Sequence, residues 1–513
     1  MIENIYTIKT YWKKNQTMAF FLILFTLLCR GSMFLGSSLG IDTEVMLALK
    51  DVFYDSWYGI GRFGLVLIKK LTDTMTYNPY FTGIAVIVLL PVVCLLWTGL
   101  FEHITRIHNK VGIFFYSLTL IASTILTEQL YFKLQALEIC VGFCMVPLAL
   151  FLLYEAATKK MSKWKKAVFV AGALALAVIL FGIYQVMVPL FIFGAASICY
   201  LYVYFGEGQD EEAKKQWSFA FTFIGAFLVA FVINRAIVAI FFSQGDSYLA
   251  QQIAWGTDGV ATCIANIWQH IKEVVFGSQI YYAKTYSVYV LGMLILTVYL
   301  TKHRKKSVLG ILSVLLIFMA PFYMTILCGT APVIRSQLVY PFVLSFMIYT
   351  CFLQFGKKKV WTYILLFLGA FTVFLQIKYT AMLNYSDTVR YEQDVQTANR
   401  LIVEIDALQN EDQSYPVVFY GAYPAKLNNS CIRGDVIGYS FFEWDTEEEP
   451  TGFFSTRRIL SFMHALGTNY AQADEETTNA AVSYLTDMPS WPAKGSVALQ
   501  KDVIVVKLGE IQK

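Results

Sequence analysis

Acidic side chains and an arginine lie in the segment that follows the first long apolar stretch of the sequence. Asp42, Glu44 and Asp55 precede Arg62 within residues 40–70, and apolar segments long enough to cross a bilayer flank them. A carboxylate can take a proton from a hydroxyl as a general base, and a guanidinium offers a planar fork that suits a phosphate. Charges at a membrane surface are costly unless they bind or react with something. We therefore interpret this segment as the core of a membrane-embedded site, with Asp42 as the leading base and Glu44 and then Asp55 as reserves.

Each of these side chains also has a purely structural interpretation. Asp42 could stay solvated, or it could cap the helix that is expected to begin near Thr43. Trp57 and Tyr58 could stack on a sugar ring, or they could belong to an interfacial aromatic belt. Arg62 could contact a lipid headgroup. Position in the sequence leaves these alternatives open.

Further polar residues stand at the ends of later apolar segments. Glu128 and Gln129 end the third segment and Lys133 follows them; residues at such positions are usually interfacial. Arg335 lies on a short turn that leads directly into the tenth segment, on the face that is otherwise poor in basic clusters. We expect Arg335 to contact an anion such as a lipid-linked phosphate, and the alternative is an ion pair with an acid of the first loop.

The elements that must position these residues are membrane-spanning helices. Of 513 residues, 57% are hydrophobic and 15% are charged, whereas soluble domains carry about 25% charged residues. A span needs about 20 apolar residues, and about eleven segments satisfy this rule. They are residues 17–36, 80–101, 111–127, 136–155, 166–183, 186–205, 217–242, 285–301, 307–327, 338–355 and 360–381. The chain is therefore predicted to be an α-helical polytopic membrane protein.

Basic residues in the short connections predict the orientation. They fall on alternate connections, as one cytoplasmic face requires. Examples are Lys13 and Lys14, Arg106 and Lys110, Lys159 and Lys160, Lys214 and Lys215, and Lys358 and Lys359. The N-terminus is thus expected inside a bacterial cytoplasmic membrane, and the first loop (37–79) and the C-terminal region are expected outside.

The C-terminal region is predicted to be a separate extracytoplasmic α/β domain. Hydropathy falls and charge rises after residue 383, so residues 1–383 are assigned to the membrane domain and 384–513 to the small domain. Apolar residues recur at helical spacing over 387–408, and residues 417–421 are typical of a strand that ends at a glycine. Residues 497–508 are predicted to form a hairpin that turns near 500–502. About 130 residues can form a core of their own.

Missing motifs narrow the chemistry. The sequence has no Walker A motif, no HExxH, no CxxC and no DxD, and its cytoplasmic loops are too short for a nucleotide-sugar-binding domain. A metal site is not indicated and no cofactor is expected, although the use of a divalent metal stays open. The net charge of +4 is too small to suggest a nucleic-acid partner. If the chain moves a sugar, the donor is expected to be lipid-linked and used on the outer face.

At its polar motifs the sequence resembles the Gtr-type polytopic glucosyltransferases of the GT-C class, which modify bacterial surface polysaccharides. The resemblance covers most of the chain in order and spacing. It rests on GIDTE (40–44), YDSWYGIGRFGLVLIKKL (54–71), EQLYFKLQALEICVGF (128–143), APVIRSQLVYPF (331–342), DTVRYEQDVQTANRLIVEI (387–405) and MPSWPAKGSVALQKDVIVVKL (488–508). Family members often carry paired acids in the first loop, whereas Thr43 separates Asp42 from Glu44 here, so the choice of base stays open.

The resemblance implies a membrane enzyme that inverts the configuration of the sugar it transfers. The donor would be a sugar, most simply glucose, on undecaprenyl phosphate in the outer leaflet, and the acceptor a hydroxyl of a surface glycan. Arg62, Lys133 and Arg335 would hold the leaving phosphate, and a flippase and a donor synthase would be partners in the lipid bilayer. Two alternatives are an outer-leaflet polysaccharide polymerase or ligase and a non-enzymatic flippase or transporter of lipid-linked sugars.

Overall fold

The computed structural model describes residues 2–36, 38–242, 252–303, 307–356, 358–410, 414–446 and 452–510, with side chains from residue 10 onward except at residue 52. The chain divides into two compact units. The first unit comprises Met1–Leu35, Asp55–Leu130 and Gln135–Thr380, and the second comprises Gly36–Tyr54, Tyr131–Leu134 and Ala381–Lys513. The second unit therefore includes two short segments from the N-terminal part of the chain, and the predicted domain boundary at residue 384 stays a prediction.

Helices dominate both units. The helices are α1 (Ile2–Leu35), α2 (Thr43–Ala48), α3 (Lys50–Gly59), α4 (Phe63–Leu71), α5 (Pro79–Thr105), α6 (Lys110–Ala122), α7 (Thr124–Tyr131), α8 (Lys133–Thr158), α9 (Lys163–Phe181), α10 (Met187–Phe205), α11 (Ala213–Phe241), α12 (Val260–Phe276), α13 (Tyr286–His303), α14 (Val308–Met319), α15 (Tyr323–Cys328), α16 (Val339–Phe355), α17 (Lys359–Asp406), α18 (Phe453–Ala465) and α19 (Glu475–Ala481). The strands are β1 (Val417–Tyr420), β2 (Val497–Gln500) and β3 (Val503–Lys507).

The helices confirm a polytopic membrane protein. Within the described residues, eight helical segments are long and apolar enough to cross a membrane, and α6 with α7 makes a ninth if the bent pair is one span. Eight or nine qualifying segments are fewer than the approximately eleven spans predicted. Helices do occupy the other two predicted spans, but α16 is shorter than the other spans and α13 is not among the segments that qualify.

A break between α6 and α7 shapes the interior of the first unit. The two helices meet at Ser123, which is extended (ψ 129°), and bend by 48°. Such a break leaves carbonyl groups without helical partners, and these are costly in a membrane interior. Fully buried Arg30 satisfies them, because its Nε donates to the Ile121 carbonyl at 2.7 Å and its Nη2 to the Ser123 carbonyl at 2.7 Å. Its Nη1 donates to Thr127 at 3.0 Å, so α1 holds the bend in place.

The second unit contains a three-stranded sheet in the order β1–β3–β2. β1 pairs parallel with β3, and β2 pairs antiparallel with β3. The β-branched runs of β1 and β3 are buried on both faces, as sequences of this kind predict. β1 is followed directly by Gly421, whose φ of 73° is readily adopted only by glycine. The predicted strand and the predicted hairpin are both confirmed.

Candidate active site

The backbone at Asp42 is strained, and its side chain does not cap a helix. Asp42 precedes α2 with φ 72° and ψ −17°, in the left-handed region that few residues other than glycine adopt. The carboxylate makes no capping hydrogen bond to the helix, so the capping interpretation is wrong. Strain of about 1–3 kcal/mol persists only where surrounding structure imposes it, and it concentrates at functional sites.

Arg458 of α18 imposes the position of the Asp42 side chain within the second unit. Its Nη2 donates to Asp42 Oδ1 at 3.2 Å, its Nη1 to Glu44 Oε1, and its Nε to Asp445 Oδ2 at 2.7 Å. Three carboxylates therefore share one guanidinium. We refer to Asp42, Glu44, Asp445 and Arg458 as the acid cluster.

Exposure separates the two leading acids. The Glu44 side chain is fully buried, whereas 38% of the Asp42 side chain is exposed. Burial raises the pKa of Glu44 to about 7, although Arg458 opposes this shift. Burial alone would lower the pKa of Arg458, but Glu44, Asp42 and Asp445 more than offset it and raise that pKa above its usual value. Asp42 is thus the more accessible of the two carboxylates, and Glu44 is its buried neighbour.

A second buried arginine holds the chain just before Asp42. Arg390 of α17 is fully buried and pairs with Asp387 and, at 3.2 Å, with Asp394. Its Nη2 also donates to the Leu39 carbonyl at 2.9 Å. Because removing either partner of a buried ion pair is strongly destabilising, this network fixes the approach of the chain to the acid cluster.

Lys133 and Gly40 fix the same stretch of backbone. The Nζ of Lys133 is buried and donates to the carbonyls of Ser38 at 2.8 Å and Gly36 at 3.4 Å. A Cβ on Gly40 would lie 2.8 Å from the Tyr131 carbonyl oxygen, which only glycine avoids. The contacts of Lys133 support the loop that carries Asp42, a role that the sequence did not suggest.

In the first unit, Tyr184 contacts Arg62 and the residue that follows Arg335. The guanidinium of Arg62 lies over the Tyr184 ring at 4.6 Å, and its Nη1 is 3.4 Å from Gln135 Oε1. The Tyr184 hydroxyl is 2.7 Å from the hydroxyl of Ser336, the residue after Arg335. Arg62, Tyr184 and Ser336 are therefore neighbours, and Arg335 precedes Ser336 in the sequence.

A buried histidine fixes the turn that carries Arg335. His270 of α12 bonds Thr325 through Nδ1 at 2.7 Å and lies 3.1 Å from Gln337 Oε1 through Nε2. Tyr282 also donates to Gln337, at 2.7 Å. Burial lowers the pKa of His270, so the ring is held neutral and can donate one hydrogen bond and accept another. These bonds tie α12 to the turn.

Glu128 and Gln129 face the protein interior. Both side chains are fully buried. Glu128 accepts a hydrogen bond from Tyr281 at 2.7 Å. Neither amide atom of Gln129 has a hydrogen-bond partner among the described residues. A buried, unsatisfied amide is costly, and a polar ligand would remove that cost.

The remaining candidates in the first unit are packed or peripheral. Trp57 is buried with the Lys69 ammonium 5.7 Å from its ring, and Lys69 forms a buried ion pair with Glu138 at 3.1 Å. Tyr58 stacks on Phe242, with the ring centroids 4.9 Å apart. Asp55 is exposed on α3 and belongs to the first unit, whereas the acid cluster belongs to the second. Across the residues with described positions, no cluster of three or more His, Cys, Asp or Glu could hold a metal ion.

Sequence reasoning missed the residues that orient the acids. Arg458 and Arg390 lie hundreds of positions from Asp42 in the sequence. An arginine in a polar domain does not by itself indicate a contact with a distant acid. The available signal was periodicity: Arg458 falls on the buried face of an amphipathic helix, next to Ile459 and Phe462, whereas Arg457 does not. A charge on a buried face needs a partner.

Comparison with known protein families decides the class of the molecule. A family model described as Glucosyl transferase GtrII matches residues 31–355, which is more than half of the chain. The chain belongs to the GtrII glucosyltransferase family. No curated protein and no solved structure matches it. The expected Gtr-type membership is confirmed, and this GtrII protein is a multi-pass membrane glycosyltransferase. The matched segment includes Asp42, Glu44, Arg62 and Arg335 but ends before Arg458.

Proposed function

We propose that this GtrII protein transfers glucose from undecaprenyl phosphate to a hydroxyl of a cell-surface glycan. The reaction takes place on the outer face of the bacterial cytoplasmic membrane and inverts the anomeric configuration. The observation that carries the proposal is Asp42, a partly exposed carboxylate on strained backbone that Arg458 orients. A flippase and a donor synthase would supply the lipid-linked sugar.

Asp42 acts as the general base. Arg458 holds Oδ1, and the other oxygen, Oδ2, takes the proton from the acceptor hydroxyl. The acceptor oxygen then attacks the anomeric carbon from the face opposite the phosphate, the bond from that carbon to the phosphate oxygen breaks, and undecaprenyl phosphate leaves. One displacement inverts the configuration. Glu44 and Asp445 also bond Arg458, so the positive charge of the guanidinium is shared among three carboxylates. Arg458 therefore does not fully neutralise Asp42.

Arg62 and Arg335 hold the phosphate of the donor. Tyr184 supports this role, because it contacts Arg62 and bonds Ser336, the residue after Arg335, and a guanidinium suits a phosphate. The negative charge persists on the leaving group during transfer, so the same contacts favour the transition state. Gln129 offers hydrogen bonds to sugar hydroxyls.

The donor class can be tested directly. We expect the purified protein in liposomes to transfer radiolabelled glucose from polyprenyl-phosphate glucose to acceptor glycan, and to ignore UDP-glucose. The physical reason is that Arg62 and Arg335 suit a lipid-linked phosphate, and the sequence contains no nucleotide-binding motif. Label recovered in the glycan measures transfer, and a preparation without protein is the blank. Transfer from UDP-glucose alone would reject the donor assignment.

The rate of transfer is expected to rise with pH through a midpoint near 7. Below this pH, Glu44 is protonated, because burial raises its pKa to about 7. The positive charge of Arg458 then interacts only with the carboxylates of Asp42 and Asp445, which makes Asp42 a weaker proton acceptor. Above it, ionised Glu44 shares that charge, and Asp42 becomes a better proton acceptor. The pKa is raised on folding, so the stability that Glu44 contributes is present below its ordinary value of 4.5 and is lost as pH rises through 7.

The Glu44→Gln variant provides the check. Its pH–rate profile should lack the limb near 7, because the amide does not titrate, and its stability should lose the matching dependence on pH. An unchanged limb in Glu44→Gln would assign the titration to another group.

Arg335→Ala is expected to raise the KM for the lipid donor by about 10- to 100-fold, the value of one or two charge-assisted hydrogen bonds. Arg335→Lys should recover only part of this loss, because the planar fork is absent. Transfer is measured per folded molecule at several donor concentrations. Arg400→Ala is a matched control, since Arg400 is an exposed arginine of α17 that stacks on Trp491. A donor KM that is equal in Arg335→Ala and Arg400→Ala would reject the phosphate role.

A further inference from the structure

The second unit has an open cleft at the place where α17 and α18 end. Asp406 is the last residue of α17, and Gly467 and Thr468 follow α18. The cleft has a volume of about 370 Å³, within the range of about 300–1,000 Å³ that small-molecule sites occupy. We refer to it as the α17–α18 cleft. All the residues that line it belong to the second unit, and none of them is part of the acid cluster.

Every side chain that lines the α17–α18 cleft carries nitrogen or oxygen. The amides and hydroxyl groups are those of Gln409, Asn410, Asn469, Ser414, Thr468 and Tyr470. Asp406 adds one carboxylate, and no Lys, Arg or His is among the described residues that line the cleft. Sites for apolar ligands are lined mainly by hydrophobic side chains, and an anion would meet no cation here. Because hydroxyl and amide groups both donate and accept hydrogen bonds, this lining fits a neutral ligand rich in hydroxyl groups.

Contacts within the second unit hold the wall of the cleft in place. The Gln409 amide donates to the Tyr415 carbonyl at 3.0 Å and accepts from the Tyr415 N–H at 2.8 Å. The Tyr470 hydroxyl donates to Asp406 Oδ1 at 2.6 Å. The carbonyl of the residue after Tyr470 accepts from the N–H of Val417 in β1 at 2.9 Å. A site that is already ordered loses less conformational entropy when it binds.

Polar groups on this wall remain available to a ligand. Asp406 and Asn469 are both exposed. Among the residues with described positions, Asp406 Oδ2 and the Asn469 amide form no hydrogen bond, and the Thr468 hydroxyl has no partner. The Tyr470 ring adds an apolar surface, which suits the C–H face of a sugar ring. A carboxylate oxygen, an amide and an aromatic ring together favour a carbohydrate.

The distance from the acid cluster suits a polymer. Arg458 lies near the start of α18, and Gly467 comes nine positions later, just after the helix ends. A helix rises 1.5 Å per residue, so about 14 Å separate the two residues along the axis. A single sugar cannot extend from the cleft to Asp42, whereas a glycan of several sugars can.

We propose that the α17–α18 cleft binds a neutral segment of the acceptor glycan, several sugars away from the hydroxyl that Asp42 deprotonates. The identity of this ligand as the acceptor rests on the proposed function. Asp406 and Asn469 bond its hydroxyl groups, and Tyr470 packs against one of its rings. The cleft therefore makes the enzyme prefer long acceptors to short ones.

Direct binding tests the proposal without turnover. The probe is surface polysaccharide purified from the bacterium that makes the protein and cut into long and short fragments, and calorimetry with the full-length protein in detergent gives the Kd. The wild type is expected to bind long fragments more tightly than short ones, with little dependence on salt. Asp406→Asn with Asn469→Ala should weaken this binding about 10- to 100-fold, about 3- to 10-fold for each hydrogen bond. The amide at position 406 can still accept from Tyr470, so the wall keeps its shape.

Asp502→Asn with Asn479→Ala is the matched control, because it makes the same two changes at exposed residues of the second unit that do not line the cleft. It should bind long fragments as the wild type does. In transfer assays, the cleft variant should show a higher KM for long fragments than this control, at an equal KM for the lipid donor.

Equal Kd values for the two double variants would overturn the proposal, and so would equal binding of long and short fragments by the wild type. Binding that high salt abolishes would place the glycan on a charged surface instead of the cleft. Failure of the proposed function gives a different result: the wild type would bind long fragments through the cleft but transfer no glucose from polyprenyl-phosphate glucose.

Discussion

Asp42→Asn is expected to reduce glucose transfer by about 10²- to 10⁴-fold while the protein stays folded and inserted, because a positioned general base contributes a factor of that size. The amide keeps the shape of the carboxylate and tolerates the left-handed backbone at φ 72°. It cannot take a proton from the acceptor. Arg458 keeps Glu44 and Asp445 as partners, so the fold of the second unit has little reason to change. Transfer is measured from polyprenyl-phosphate glucose and normalised to folded protein.

Asp73→Asn is the matched control for that experiment. Asp73 is an exposed aspartate that also has a positive φ, 55°. Its replacement by Asn is the same chemical change, but it leaves the acid cluster intact. Asp73→Asn should retain full activity. If Asp42→Asn is as active as Asp73→Asn, Asp42 is not the base, and Glu44→Gln and then Asp55→Asn become the decisive variants.

Arg458→Met is expected to destabilise the second unit by about 3–5 kcal/mol, the usual cost of removing one partner from a buried ion pair. Methionine fills much of the same volume but leaves Glu44 buried without a cation. Rates of proteolysis in the second unit, or a chemical unfolding curve, report the change. Glu44→Gln on the Arg458→Met background should restore part of the loss, because it removes the stranded charge.

Arg457→Met is the matched control for this second prediction. Arg457 is adjacent in α18, but its guanidinium lies over the Phe454 ring at 5.0 Å instead of among the acids. Removing one partly exposed cation–π contact should cost about 0.5–1 kcal/mol. Equal losses in Arg457→Met and Arg458→Met would show that the acid cluster does not stabilise the fold.

Local patterns in the sequence predict the elements well. Long apolar runs give the spans, and the β-branched runs at 417–420 and 503–507 give two strands whose burial follows from their composition. The lower count of qualifying spans has a local cause in part: the third predicted span, 111–127, is interrupted at Ser123. Nothing in that stretch marks the break, because its stability depends on Arg30 of another helix.

Long-range pairing explains what the sequence could not show. Asp42 was identified from its place after the first span, but its partner Arg458 is 416 residues away. The same applies to Arg62 and Tyr184, which meet through a ring–guanidinium contact that no spacing rule encodes. Periodicity specifies which face of a helix is buried. It does not specify which charged residue of another element pairs with a charge on that face.

The distance between Asp42 and Arg458 along the chain also bears on how the enzyme is made. Ribosomes release α2 long before α18, so a nascent chain carries Asp42 and Glu44 for most of its synthesis without the guanidinium that orients them. A polypeptide cut short at residue 355, where the family match ends, would contain every candidate acid of the first loop and still lack that cation. The acid cluster is thus complete only when the last quarter of the chain has been translated, and an unfinished chain in the membrane lacks Arg458.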